Sequence, residues 1–147
     1  MVKKRKSIHP TESAIQASYL VWLNLQYPEV ADVTAAFVNG GARDPRYGAR
    51  LKREGLKNGF PDIGIFYPCG PYHGMFIEFK SLNGTMRIDQ LSIMEKLICH
   101  MYKFVVCRSL EEAINETQNY INNSENTDAV GLSRYSSFFP HPLSPID

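Results

Sequence analysis

Met75-Phe76-Ile77-Glu78-Phe79-Lys80 reads as a β-strand, reached through the Gly/Pro-rich turn Pro68-Cys69-Gly70-Pro71-Tyr72-His73-Gly74. Residues two apart on a strand project from one face, so the Glu78 carboxylate and the Lys80 ammonium lie side by side. Before the turn, Asp62 to Tyr67 reads as another strand, introduced by Gly59-Phe60-Pro61. Pairing the two as a hairpin brings Asp62 near Glu78 or its backbone carbonyl. Asp is a poor strand former, so its place at the head of Ile63-Gly64-Ile65-Phe66 calls for a reason beyond propensity.

Outward from this hairpin the chain alternates in type. Thr11 to Tyr27 has Ile15, Tyr19, Trp22 and Leu23 at helical spacing, with Thr11 or Ser13 as cap and Pro28 as terminator. Val33 to Val38 reads as a strand closed by Asn39-Gly40-Gly41. Arg43 to Lys57 is polar and reads as a loop with one short helix. After Ser81-Leu82-Asn83-Gly84, a helix is expected from Ile88 to Met101, with Leu91, Met94, Ile98 and Met101 as its buried stripe. Lys103 to Cys107 is a short strand, and Ser109 with Glu112 opens a last helix through about Ile121. Helix, three strands, helix, strand, helix is economically met by an α/β fold, one mixed sheet flanked by helices. The expected division is a basic arm over 1–10, one domain over 11–122, and a polar, aromatic tail over 123–147.

The 147 residues suffice for one domain, and 44% hydrophobic with 21% charged residues allow a real core. Net charge is +1, but residues 1–109 hold 15 Lys/Arg against 9 Asp/Glu, whereas 110–147 hold 1 against 6. That asymmetry points to a basic working body with an acidic tail. Cys69, Cys99 and Cys107 form no CxxC pair, which argues against a disulfide framework or a thiolate zinc site and fits a reducing compartment. No apolar run reaches membrane-spanning length, and no apolar h-region follows Lys3-Lys4-Arg5-Lys6, so the expectation is a soluble protein of the cytoplasm or nucleus, not a secreted one.

Glu78-x-Lys80 is one form metal-assisted phosphodiester hydrolysis takes: the carboxylate holds a hard cation, and the lysine positions water and offsets charge on the phosphate. Alone it means little, since nine Glu and eight Lys give about half an ExK by chance, and a surface ion pair explains it equally well. Asp62 adds a second carboxylate that would repel the first unless a cation joins them. Gln90 begins the next helix, where its amide could orient the lysine, a water or a phosphate. Glu12 stands in the first turn of the first helix, four residues before Gln16 on the same face, where the helix dipole alone would favour it. Arg43, Arg46, Arg50, Lys52, Arg53 and Lys57 precede Asp62 and would grip phosphates beside it. Tyr47 and Phe60 among them could stack on an unpaired base or anchor the loop. The four histidines share no ligand spacing, and there is no P-loop or Ser/His/Asp order, so no nucleotide cofactor is expected.

Glu12-x-x-x-Gln16, Gly59-Phe60-Pro61-Asp62, Glu78-Phe79-Lys80 and Gln90 together resemble the VRR-NUC (virus-type replication-repair nuclease) family of the PD-(D/E)xK superfamily, over about residues 11–115. The resemblance implies a restriction-endonuclease-like αβββαβ core. It implies that Asp62, Glu78 and the Phe79 backbone carbonyl bind Mg²⁺ or Mn²⁺, that Glu12 completes the acidic site, that Lys80 is the catalytic lysine and that Gln90 supports it. It implies a DNA endonuclease acting as a homodimer on branched DNA such as four-way junctions. A sequence-specific or nicking nuclease on the same fold, or an inactive nucleic-acid-binding module, are the alternatives.

Overall fold

The computed structural model describes residues 9–37 and 44–122. The Lys3–Lys6 cluster, Val38 with the Asn39-Gly40-Gly41 turn, Arg43 and the tail over 123–147 lie outside the described residues.

The chain runs α1 (Glu12–Gln26), α2 (Pro28–Asp32), β1 (Thr34–Ala36), α3 (Pro45–Arg53), β2 (Ile63–Ile65), β3 (Gly74–Phe79), α4 (Ile88–Cys99), β4 (Tyr102–Cys107), α5 (Leu110–Asn122). The strands form one mixed sheet in the order β1-β2-β3-β4. β1 and β2, and β2 and β3, pair antiparallel, whereas β3 and β4 are parallel and joined through α4. This is the α/β arrangement the sequence suggests.

Alternation along the strands sorts the two faces. Ile63, Ile65, Met75, Ile77, Phe79 and Cys107 face α1 and α5 and bury Ile15, Tyr19, Leu23, Ala113 and Tyr120 with them. Burying about a dozen such side chains at roughly 1.5–3 kcal/mol each is the main favourable term of the fold. The polar tips in this core are satisfied: Tyr19 Oη and Thr117 Oγ1 lie 2.7 Å apart, and Tyr120 Oη donates to the Tyr67 carbonyl at 2.7 Å. Burial pushes the Cys107 thiol up to about 12, so it stays a neutral core group. The opposite face carries Phe76 and Glu78, and among the described residues α4 covers it toward β4.

Several local expectations change. Thr11, not Ser13, caps α1, its Oγ1 accepting from Ala14 N at 3.2 Å. Pro28 ends α1 but also starts α2, where its missing N–H costs nothing. In the polar segment Asp44 caps a nine-residue helix, α3, that buries no side chain. The expected buried stripe of α4 is the largest correction. Leu91, Ile98 and Met101 are exposed, as is Ile88, and Gln90 is the one α4 residue fully buried. Helix α4 meets the body along Gln90, Ile93, Met94 and Leu97, about one residue around from the apolar pattern, because its first turn is turned inward by a polar contact.

Candidate active site

Register sets the two carboxylates together. Ile63 pairs with Ile77, so the next residue out on each strand places Asp62 opposite Glu78 on the face away from α1. Asp62 is past the end of the ladder, and its Oδ2 accepts from Phe79 N at 2.7 Å, standing where a partner strand's carbonyl would be. Lys80 N donates to the Cys107 carbonyl on the β4 side, so by strand alternation the Phe79 N–H and carbonyl both face the Asp62 side. The motif glycine makes this approach possible. Gly59 has φ +81°, and a Cβ there would sit 2.6 Å from the Asp89 carbonyl carbon and 2.9 Å from Gln90 N. Only glycine lets the turn before buried Pro61 and Asp62 lie against the start of α4.

Glu78 is 2% exposed. Its Oε1 accepts from Lys80 Nζ at 2.6 Å and from Gln90 Nε2. Gln90 is fixed from both ends, because its Oε1 accepts from Arg87 N at 3.0 Å, leaving only the NH₂ for the carboxylate. The Gln90 amide thus contacts Glu78, which in turn pairs with Lys80. Glu78 Oε2 is buried with no hydrogen-bond partner. Burial above all, with the neighbouring Asp62 charge, pushes the Glu78 carboxyl above the usual Glu range, and the Lys80 and Gln90 hydrogen bonds pull the other way.

A buried, unpartnered carboxylate oxygen next to a second carboxylate is costly for a folded chain by itself. Two carboxylates with a main-chain carbonyl beside them are the oxygen donor set that a hard divalent cation takes, the remaining positions going to water or phosphate. The residues thus fit Mg²⁺ or Mn²⁺. Among the described residues no three His, Cys, Asp or Glu side chains converge on one point, so Glu12 stands outside this pair. Its Oε1 accepts from Ser81 N at 2.6 Å and fastens the backbone just beyond Lys80.

Arg108 fastens the same loop and is not singled out by the sequence. Its Nη1 donates to the Ser81 and Gly84 carbonyls, each at 2.7 Å. The available signal is its place at the carboxyl end of β4, beside the parallel end of β3, where α/β sheets gather functional groups. On the basic segment, Arg46, Arg50, Lys52 and Arg53 are exposed along α3 and Lys57 follows it, with Arg50 paired to Glu54 at 2.7 Å. Of the two interleaved aromatics, Phe60 packs on Phe37 and Phe76 and anchors the turn, while Tyr47 is 53% exposed.

Glu12→Gln keeps an oxygen that accepts from Ser81 N, so its activity should stay within about threefold of wild type, whereas Glu12→Ala should lose on the order of tenfold through a displaced Lys80. Equal, large losses in both, with raised Mg²⁺ demand, would make Glu12 a metal ligand. Steady-state rates against Mg²⁺ concentration separate the two.

The VRR-NUC domain family model matches residues 11–111. A solved structure described as a VRR_NUC domain protein is 28% identical, with a TM-score of 0.69 over 79% of this chain and 92% of that one. Among curated proteins nothing matches. The family match takes in α1, the hairpin and the crossover helix, the elements that set Glu12, Asp62, Glu78, Lys80 and Gln90 around one end of β3, and on that span the chain belongs to the VRR-NUC family.

Proposed function

We propose that this nuclease domain is a divalent-metal-dependent DNA endonuclease, selective for branched DNA such as four-way junctions. The observation that carries the metal dependence is Glu78 Oε2, buried and unpartnered beside Asp62. Asp62, Glu78 and the Phe79 carbonyl would hold Mg²⁺ or Mn²⁺. Bound there, the ion supplies Lewis-acid polarisation of the phosphate and a lowered pKa for water. Lys80 holds a cation at the same spot, ready to offset charge on the phosphate. Gln90, locked by the Arg87 amide, keeps the Glu78 carboxylate in one orientation. Glu12 and Arg108 keep the chain beyond Lys80 from shifting. A binding module that had lost chemistry would have no use for a buried carboxylate with an unpartnered oxygen.

Branched substrates and a homodimer are supported by resemblance and by the outward apolar side of α4, where Ile88, Leu91, Ile98 and Met101 are 87%, 39%, 50% and 46% exposed. One chain has one active site, and a two-fold dimer presents two to a symmetric junction. Incubating duplex, flap, single strand and four-way junction with Mg²⁺, Mn²⁺ or EDTA tests the reading. Paired cuts in the junction by a particle of twice the 16.7 kDa of one chain are expected, and cutting in EDTA would refute it.

The exposed cations of α3 would grip phosphates next to the site. Replacing Arg46, Arg50 and Arg53 with Gln should weaken binding to every sequence alike and flatten the log K against log salt slope by about 0.9 per lost contact on duplex DNA. A slope unchanged in the triple variant returns α3 to an ordinary solvated helix.

A further inference from the structure

The sheet face that carries Asp62 and Glu78 continues away from them as a surface of aromatic rings. Over Gly64 three rings converge: a Cβ there would lie 2.9 Å from Phe37 and Phe76 atoms and 3.1 Å from Phe66. Ring centroids are 4.9 Å apart for Phe37–Phe60, 5.7 Å for Phe60–Phe76, 6.0 Å for Phe66–Phe76 and 6.4 Å for Phe37–Phe66. Phe76 is buried beneath, whereas Phe66 is 47% exposed at the outer side. Among the described residues, α4 covers the face toward β4 and does not reach this part.

Two features say what fits here. Phe66 stands on β2's line four residues from Asp62 and on the same face, about 13 Å along the strand at 3.3 Å per residue. That is a distance of about two to four nucleotides, depending on whether the strand is extended or stacked at 3.4 Å per step. The chain also leaves this face at Phe37 and returns at Phe60, and the segment between carries the exposed basic helix α3. Exposed aromatic surface on the face of the candidate nuclease site, in a chain whose next segment is a basic helix, suits a polyanion that offers unstacked rings, and it suits an apolar peptide poorly.

We propose that Phe66, backed by Phe37, Phe60 and Phe76, is a stacking platform for an unpaired base of the strand being cut, two to four nucleotides from the scissile phosphate. This rests on the nuclease reading above and adds a requirement to it: the substrate has unpaired or easily unpaired bases beside the cut.

The test uses the full chain with Ca²⁺ and branched DNA carrying 2-aminopurine at single positions across the branch, scored without cleavage. Wild type should quench the probe at one position. Phe66→Leu, which keeps apolar packing on Phe37 and Phe76 but has no π-face, should lose that quench and bind branched DNA about tenfold more weakly, with duplex binding nearly unchanged. Phe66→Trp should restore both. A quench equal in wild type and Phe66→Leu, or equal losses on duplex and branched DNA, overturns the proposal. Loss of the dimer mass in Phe66→Leu would reassign the face to self-association and overturn it too. Cleavage mapped in Mg²⁺ on the same DNA is a separate arm: its absence sinks the nuclease reading, while the fluorescence still judges the platform.

Discussion

Lys80→Ala should lower the single-turnover cleavage rate by about 10²–10³-fold while DNA binding in Ca²⁺ stays within a few-fold of wild type. Lys80 lies on β3's line one residue past its end, its side chain 12% exposed and its Nζ 2.6 Å from Glu78 Oε1. A buried pair of this kind also has a structural part, because removing the cation leaves Glu78 less compensated. The two roles separate in the readout. A purely structural lysine would lower melting temperature and activity together, and added Mg²⁺ would recover both. A lysine that acts on the phosphate leaves metal-bound protein folded, DNA-binding and slow. Lys80→Arg should not rescue the rate, since a planar guanidinium cannot occupy the ammonium's place between Glu78 and the phosphate. A variant that cuts at the wild-type rate would make Lys80 an ordinary strand residue.

Much of this arrangement is legible in residue order. Period-two and period-3.6 patterns, with Gly-Phe-Pro and Gly/Pro turns between them, place the hairpin, and a hairpin's register then brings Asp62 to Glu78. Three things are not local enough to be read that way. The orientation of α4 is decided by the hydrogen bonds of Gln90 to Glu78 and to the Arg87 amide, so a polar residue points inward and the apolar Leu91 and Ile98 point out. Periodicity alone treats Gln90 as a surface residue. Arg108 reaches the Ser81–Gly84 loop from 24 or more residues away in sequence, a link that depends on β3 and β4 lying parallel. Phe66 reads as one more apolar strand residue, and its 47% exposure shows only in the folded chain, where none of the described helices covers it. The polar segment before Asp62 gives away its cations and a short helix, but the helix's bounds and its cap, Asp44 accepting from Arg46 N at 2.9 Å, come from the structure.

Glu78→Gln should cut activity by about 100-fold or more and remove the Mg²⁺-induced rise in melting temperature, yet melt no lower than wild type in EDTA. The sign follows from burial. With its folded pKa raised above the unfolded value, roughly 4.3, Glu78 favours the fold when protonated. That stability is full below the unfolded pKa and is lost as pH rises through the folded one. Wherever it is ionised in the metal-free protein, this buried carboxylate has one unpartnered oxygen and is held beside Asp62 at a cost. Gln at this position still accepts from Lys80 and Gln90 through its oxygen, and its uncharged NH₂ takes the place of the unpartnered Oε2. The charge and the unsatisfied oxygen go, and the metal site goes with them. In wild type the same linkage makes Mg²⁺ and protons compete, so the Mg²⁺-induced rise should fade as pH falls through the raised Glu78 pKa and be absent from Glu78→Gln at every pH. Melting curves with EDTA and with Mg²⁺ from pH 4 to 8 measure all of this. If Glu78→Gln melts well below wild type in EDTA, the carboxylate is part of the fold's own support, and its unpartnered oxygen is no sign of a metal.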